Sequence, residues 1–115
     1  MIIFMDILCG KKSLKNEHMK KYLCTFYLPD LLEDDFWAII PSHRQHINDL
    51  MREEVIITYS VNGLRTKGWV VLNAESEIEA AEMIDKFPIR KFIHYELDEL
   101  FIFDTMIGAP KLVMN

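Results

Sequence analysis

Four stretches of this chain are rich in β-branched and aromatic residues, two others carry apolar residues at helical spacing, and their order leaves few ways to fold. From Tyr22 to Leu28 nearly every residue is apolar, aromatic or β-branched, and Pro29-Asp30 ends the run, which reads as a buried strand. Asp34 and Asp35 then stand where a helix amino terminus favours negative charge, and Phe36, Ile40, His43, Ile47 and Leu50 recur at helical spacing. Pro41 falls inside that helix. A proline there loses a backbone hydrogen bond and crowds the preceding turn, so a kink or restart near Ile40 is predicted, giving a helix in two parts.

Val55–Val61 and Gly68–Leu72 are β-rich runs on either side of an Asn62-Gly63 turn signal, the pattern of an antiparallel hairpin. Ser76 followed by Glu79 has capping-box spacing, and Ala80, Ala81, Ile84 and Phe87 form an apolar stripe that Pro88 ends. Lys91 to Phe103 reads as a fourth strand, after which Gly108-Ala-Pro110 breaks the chain before a short apolar tail. Helices are thus expected at about 34–53 and 76–86, with ends good to ~2–4 residues. The order βαββαβ predicts an α+β, ferredoxin-like fold: right-handed crossovers put both helices on one face of a four-stranded antiparallel sheet. The other face then lacks a cover. Strands one and four carry large apolar or aromatic residues at both parities, with Tyr22, Phe26 and Leu28 against Leu23 and Tyr27, and Phe92 against Ile93 and Tyr95. A second copy of the same sheet is the simplest cover, so a dimeric α+β barrel, a homodimer or higher homo-oligomer joined through the sheet face, is expected.

With 115 residues, half of them apolar, the chain has enough for one hydrophobic core and too little for two. Residues 19–115 read as that domain. Residues 1–18 read either as an extension outside the core, with Met19 as the natural start, or as a short edge strand packed on it. The apolar opening Met1–Cys9 is far short of a membrane span and no positive residue precedes it as in a secretory signal, so no membrane association is expected. A net charge of −5 argues against nucleic acid as a partner, because phosphate backbones are bound by clustered Lys and Arg. Cys9 and Cys24 have neither disulfide-framework nor metal-type spacing, which fits a reducing cytoplasm.

The stretch Phe87-Pro-Ile-Arg-Lys-Phe-Ile-His-Tyr-Glu-Leu-Asp-Glu-Leu100 resembles the end of muconolactone isomerase and its relatives, where a Leu-Pro or Phe-Pro step leads into a final strand with a Glu-apolar-Asp element. Leu28-Pro29 after the first strand resembles that family too. Pro41-Ser-His-Arg-Gln-His-Ile-Asn-Asp-Leu-Met-Arg-Glu53 is similar to the Pro-Ala-His helix of the YCII-related domains, whose proposed catalytic histidine falls on His43. Both families are dimeric α+β barrels, so the resemblance, over roughly residues 20–104, implies that fold. It also implies an isomerase-type enzyme without a cofactor. The sequence departs from both patterns. The acidic first-helix positions of muconolactone isomerase look like Ser42, His43 and Gln45 here, and the Asp-Pro-Phe element of YCII-related domains appears as Asp85-Lys-Phe-Pro88.

His43 is the candidate catalytic residue, since it interrupts an apolar helical stripe and a neutral imidazole can take a proton near neutral pH. The alternative is a core histidine whose nitrogens are satisfied for packing alone. His46, one turn on, faces solvent or supports His43. His94 and Glu96 share a parity on the last strand and should project to one sheet face, either as a pair that tunes each other's protonation or as an exposed edge pair. A metal held by His43, His46, His94 and Glu96 would need the helix and the strand to face one cavity, and no metal is expected. Tyr22, Phe26, Tyr59 and Trp69 are candidate walls of an aromatic pocket, or simply core.

Three readings follow: an isomerase or lyase in which His43 moves a proton on a small lactone or carbonyl compound; a non-catalytic dimeric barrel that binds a small molecule or only stabilises a partner, with His43 structural; and a cofactor-free monooxygenase acting on an aromatic substrate. The first two differ in their demands on His43. Catalysis wants it in a cavity with a carboxylate near it, whereas an apolar dry cavity favours binding alone.

Overall fold

A computed structural model describes residues 19–106, and the expectations for the opening segment and the apolar tail lie outside them. The elements run β1 (Lys20–Tyr27), α1 (Asp34–Arg52), β2 (Ile56–Val61), β3 (Lys67–Ala74), α2 (Glu77–Asp85), a 3-10 turn (Arg90–Phe92) and β4 (His94–Glu99). The sheet order is β2-β3-β1-β4, antiparallel at every pairing. This is the α+β, ferredoxin-like βαββαβ arrangement.

Period-two alternation decides which side chains meet the helices. Along β1, Tyr22, Cys24 and Phe26 are buried while Leu23, Thr25 and Tyr27 between them are only partly covered. Their partners Leu72, Val70 and Gly68 on β3 are buried on the same side. Phe36, His43 and Ile47 of α1 and Ala80 and Ile84 of α2 close over that layer. Each large apolar side chain enclosed there contributes about 1.5–3 kcal/mol.

Helix α1 departs from expectation. It runs as one element through Pro41, not as two. The proline forfeits the hydrogen bond its nitrogen would make to the Trp37 carbonyl, but Phe36 before it and His43 and Ile47 after it share one buried stripe, and that burial outweighs one missing bond. The helix ends in a Schellman motif, with Val55 N–H donating to the Leu50 carbonyl and Glu54 N–H to the Met51 carbonyl. Glu54 sits at the left-handed position, φ 64°.

Helix α2 opens as its capping spacing predicts. The Ser76 hydroxyl accepts from Glu79 N–H at 3.1 Å, and the Glu79 carboxylate reaches back to Glu75 N–H, one residue before the cap.

The last strand is shorter than the expected 91–103 span. Arg90 donates to Asp85 and, through its other guanidinium arm, to the Ile93 carbonyl, which holds residues 90–92 in a turn. At the other end, Leu100 N–H donates to the Lys21 carbonyl, next to the first residue of β1, and among the described residues no strand partner lies beyond it. Phe101 and Ile102 are exposed there.

Two local irregularities shape the far end of the sheet. In β2 the register shifts between Ile56, opposite Leu72, and Thr58, opposite Val71, so Ile57 is an extra, bulged residue. The β2-β3 connection is a broader loop than a two-residue turn: Arg65 N–H donates to the Asn62 carbonyl, and the Asn62 side chain accepts from both Thr66 and Lys67 N–H. The left-handed residue of this loop is Arg65, φ 59°, and Gly63 has no positive φ.

Candidate functional site

Between the first half of α1 and the β2-β3 end of the sheet lies a cleft of about 410 Å³. Phe26 and Leu28 supply its wall from β1 and the segment that follows; Leu32, Phe36, Trp37, Ile40, His43 and Arg44 come from the helix and its approach; Tyr59, Val61, Asn62, Gly63 and Arg65 contribute from β2 and the hairpin loop; Ile89 closes it. The lining is predominantly apolar, as small-molecule sites are, and no Asp or Glu belongs to it. Glu33, Asp34 and Asp35 flank a separate, shallower depression that shares only Leu32.

The polar centre of the cleft is a pair. His43 Nε2 and Tyr59 Oη are 2.7 Å apart, with His43 only 1% exposed. The β2 bulge makes this possible: in a regular strand Tyr59 would point to the side opposite Ile56, whereas the extra residue turns both toward the helices. Phe26 stacks beside Tyr59 at 5.9 Å between ring centres, and Phe87 meets the His43 ring edge-on at 5.5 Å.

Both members of the pair are held neutral. Burial, followed by the charges of His46 and Arg44, lowers His43 to a pKa of about 4. Burial raises Tyr59 to about 12, with Arg44 pulling the other way. His43 is therefore a weak base at neutral pH, and the near-neutral titration expected from its ordinary value does not apply.

One hydrogen bond cannot satisfy both groups. His43 Nδ1 is buried with no described partner, so if Nε2 accepts the phenol proton, an Nδ1–H is stranded. If Nε2–H donates to Oη instead, only a lone pair is stranded and the phenol O–H is free. Orphaned donors are the rarer and costlier case, so the second arrangement is favoured in the empty cleft. In both, the pair keeps one proton with no acceptor among the described residues.

The other sequence candidates are distributed over three places. Phe26 joins His43 and Tyr59 in the cleft. Tyr22 is 2% exposed in the core between sheet and helices, and His46 packs edge-on against Phe87 outside the cleft lining, its Nε2 buried without a described partner. Trp69, His94 and Glu96 lie on the opposite face of the sheet: Trp69 and Glu96 both pair with Thr25, and His94 pairs with Tyr27. His94 and Glu96 thus share a face, as their parity predicts, but the sheet separates them from His43. The four-residue metal set is divided in the same way, and among the described residues no group of three His, Cys, Asp or Glu side chains is placed to hold a metal ion.

The sequence reading missed Trp37, Arg44 and Arg65. Trp37, Ile40 and Arg44 follow one another at helical spacing along the edge of the stripe that carries His43, a signal that was available. Arg65 reaches the cleft only through the loop geometry after β2.

No family model and no curated protein matches the chain. Among the described residues no helix is long and apolar enough to cross a membrane.

Proposed function

We propose that this protein binds a small, mostly apolar molecule bearing a hydrogen-bond acceptor, with the acceptor on the His43–Tyr59 pair. The observation that carries this reading is the spare proton of a neutral pair, a buried histidine and a half-buried tyrosine, inside an apolar cleft. A carbonyl or lactone oxygen would accept it, and the rings of Phe26, Phe36 and Trp37 would cover a planar body. Catalysis of proton transfer on such a compound, in the manner of an isomerase, is the second reading, favoured by the direct His43–Tyr59 hydrogen bond. It asks more of the site: the lining offers no carboxylate, and His43 would have to take the proton as a base of low pKa. Binding alone requires neither.

A panel of lactones and cyclic enones screened by thermal shift tests the proposal. Compounds that raise the melting temperature are expected to lose about tenfold in affinity in Tyr59→Phe, the equivalent of one good hydrogen bond. Binding unchanged in that variant would remove the pair from recognition, and solvent-exchange of substrate protons that His43→Gln abolishes would promote the second reading.

The reading includes a homodimer joined through the sheet face bearing Leu23, Tyr27 and Trp69, which no described helix covers. Sedimentation at micromolar concentration is expected to give twice the chain mass, and a monomer would contradict it. A reducing, cytoplasmic setting is consistent with Cys24, a buried free thiol that burial pushes up to about 12.

A further inference from the structure

The chain has four arginines, and they divide cleanly. Arg52 is bonded to Asp49 at 2.9 Å and Arg90 to Asp85 at 2.8 Å. The guanidinium groups of Arg44 and Arg65 have no carboxylate and no hydrogen-bond partner among the described residues, and these are the two arginines that line the cleft. Each instead lies over an aromatic ring of the same cleft, Arg44 5.6 Å from the centre of Tyr59 and Arg65 6.0 Å from that of Trp37. A guanidinium resting on a ring keeps its in-plane N–H groups available, and those forked donors match the two oxygens of a carboxylate.

Charge balance sharpens the point. The chain carries 18 acidic against 13 basic residues, yet the cleft holds two cations and no acid. In a protein whose overall field repels anions, a local site that attracts them confers selectivity.

Resting on the binding reading above, we propose that the ligand is an organic acid: an apolar body seated against Phe26, Phe36 and Ile89, with its carboxylate at Arg44 and Arg65. Tyr59 serves both ends of this arrangement, donating to an acceptor on the body while its ring supports Arg44. A neutral or cationic molecule of the same shape forfeits the arginine contacts.

Three probes that share one body and differ in charge test this: 4-phenylbutanoate, 4-phenylbutanamide and 4-phenylbutylamine. Calorimetry on the full chain gives the affinities. Quenching of Trp37 in a Trp69→Phe background, where it is the one remaining indole, reports occupancy of the cleft. The acid is expected to bind about tenfold more tightly than the amide, and the amine most weakly. Arg44→Gln and Arg65→Gln should each bring the acid's affinity down toward the amide's, so that the ratio of the two, about tenfold in the parent, falls to near one. Raising salt from about 0.05 to about 0.5 M should weaken the acid alone. Equal binding of acid and amide to the parent protein would overturn this inference and leave the cleft reading standing. Failure of all three probes to bind or to quench Trp37 would overturn both.

Discussion

Replacing Gly68 with alanine is expected to lower the melting temperature by about 10 °C and to close the cleft. Gly68 pairs with Phe26 across β1 and β3, and the Phe26 ring lies directly over it. A Cβ built at Gly68 would clash with Phe26 Cζ and both of its Cε atoms, each closer than 3 Å. Phe26 is fully buried and stacked on Tyr59, so the ring has no path to solvent. It must turn, and the cleft that it lines is open to receive it. Overpacking of this kind costs about 1–3 kcal/mol, and each kcal/mol moves the midpoint of a domain this size by roughly 4–8 °C. Thermal unfolding measures the first effect and Trp37 quenching by bound probe the second. A Gly68→Ala/Phe26→Leu double variant should recover part of the stability, because the shorter side chain clears the new methyl group. An alanine variant as stable as the parent would show that the ring yields freely.

Mild acid should destabilise the protein before Asp49 and Asp85, the two carboxylates held by hydrogen bonds, lose their charge. His43 has a folded pKa of about 4 against an ordinary 6.5, so the unfolded chain binds a proton that the folded chain refuses. Stability from this group is complete above pH 6.5 and falls as the pH drops toward 4. Integrated over that window the loss is about 3 kcal/mol, a large fraction of a small domain's total. Asp49 and Asp85, held below the ordinary carboxylate value by hydrogen bonds from Gln45 and Arg52 and from Arg90 respectively, add their losses only below pH 3.8. The two regimes are therefore separable. Denaturant midpoints measured from pH 7.5 to 4 should slope downward in the parent and run nearly flat in His43→Gln, although that variant begins less stable at neutral pH. Parallel slopes in the two proteins would assign the acid sensitivity elsewhere.

Much of the fold could be read from local pattern because each signal is local in origin. The Ser76–Glu79 cap, the alternation along β1 and the stripe from Phe36 to Ile47 all act over a few residues, and tertiary packing only confirms them. Pro41 was misread because propensity prices the missing hydrogen bond but not the burial on either side of it. The end of β4 differs from the apolar run because that run continues to Phe103, whereas the described pairing with β1 ends at Tyr22 opposite Glu99. The site was half legible. A histidine inside an apolar stripe is buried by periodicity alone, and Tyr59 and Phe26 could be named as pocket candidates. Which face of the sheet His94, Glu96 and Trp69 occupy is not a local property: parity puts residues together without saying on which side. The arrival of Arg65 beside a helix that carries Arg44 depends on a loop whose shape is set by Asn62, not by the adjacent glycine.

The bulge at Ile57 has a consequence for comparing this chain with others. Ile56 and Tyr59 are separated by two residues, yet both face the helices, because Ile57 is absorbed without a partner. A chain lacking Ile57 would carry the same phenol under the same imidazole on an unbroken ladder, so its strand would be one residue shorter with no change in the cleft. Alignment column by column would read that difference as a gap and slide the tyrosine onto Thr58 or Ser60, erasing the correspondence that matters. Relatives of this protein are better sought by the three-dimensional coincidence of a helix histidine and a strand tyrosine than by their spacing in sequence.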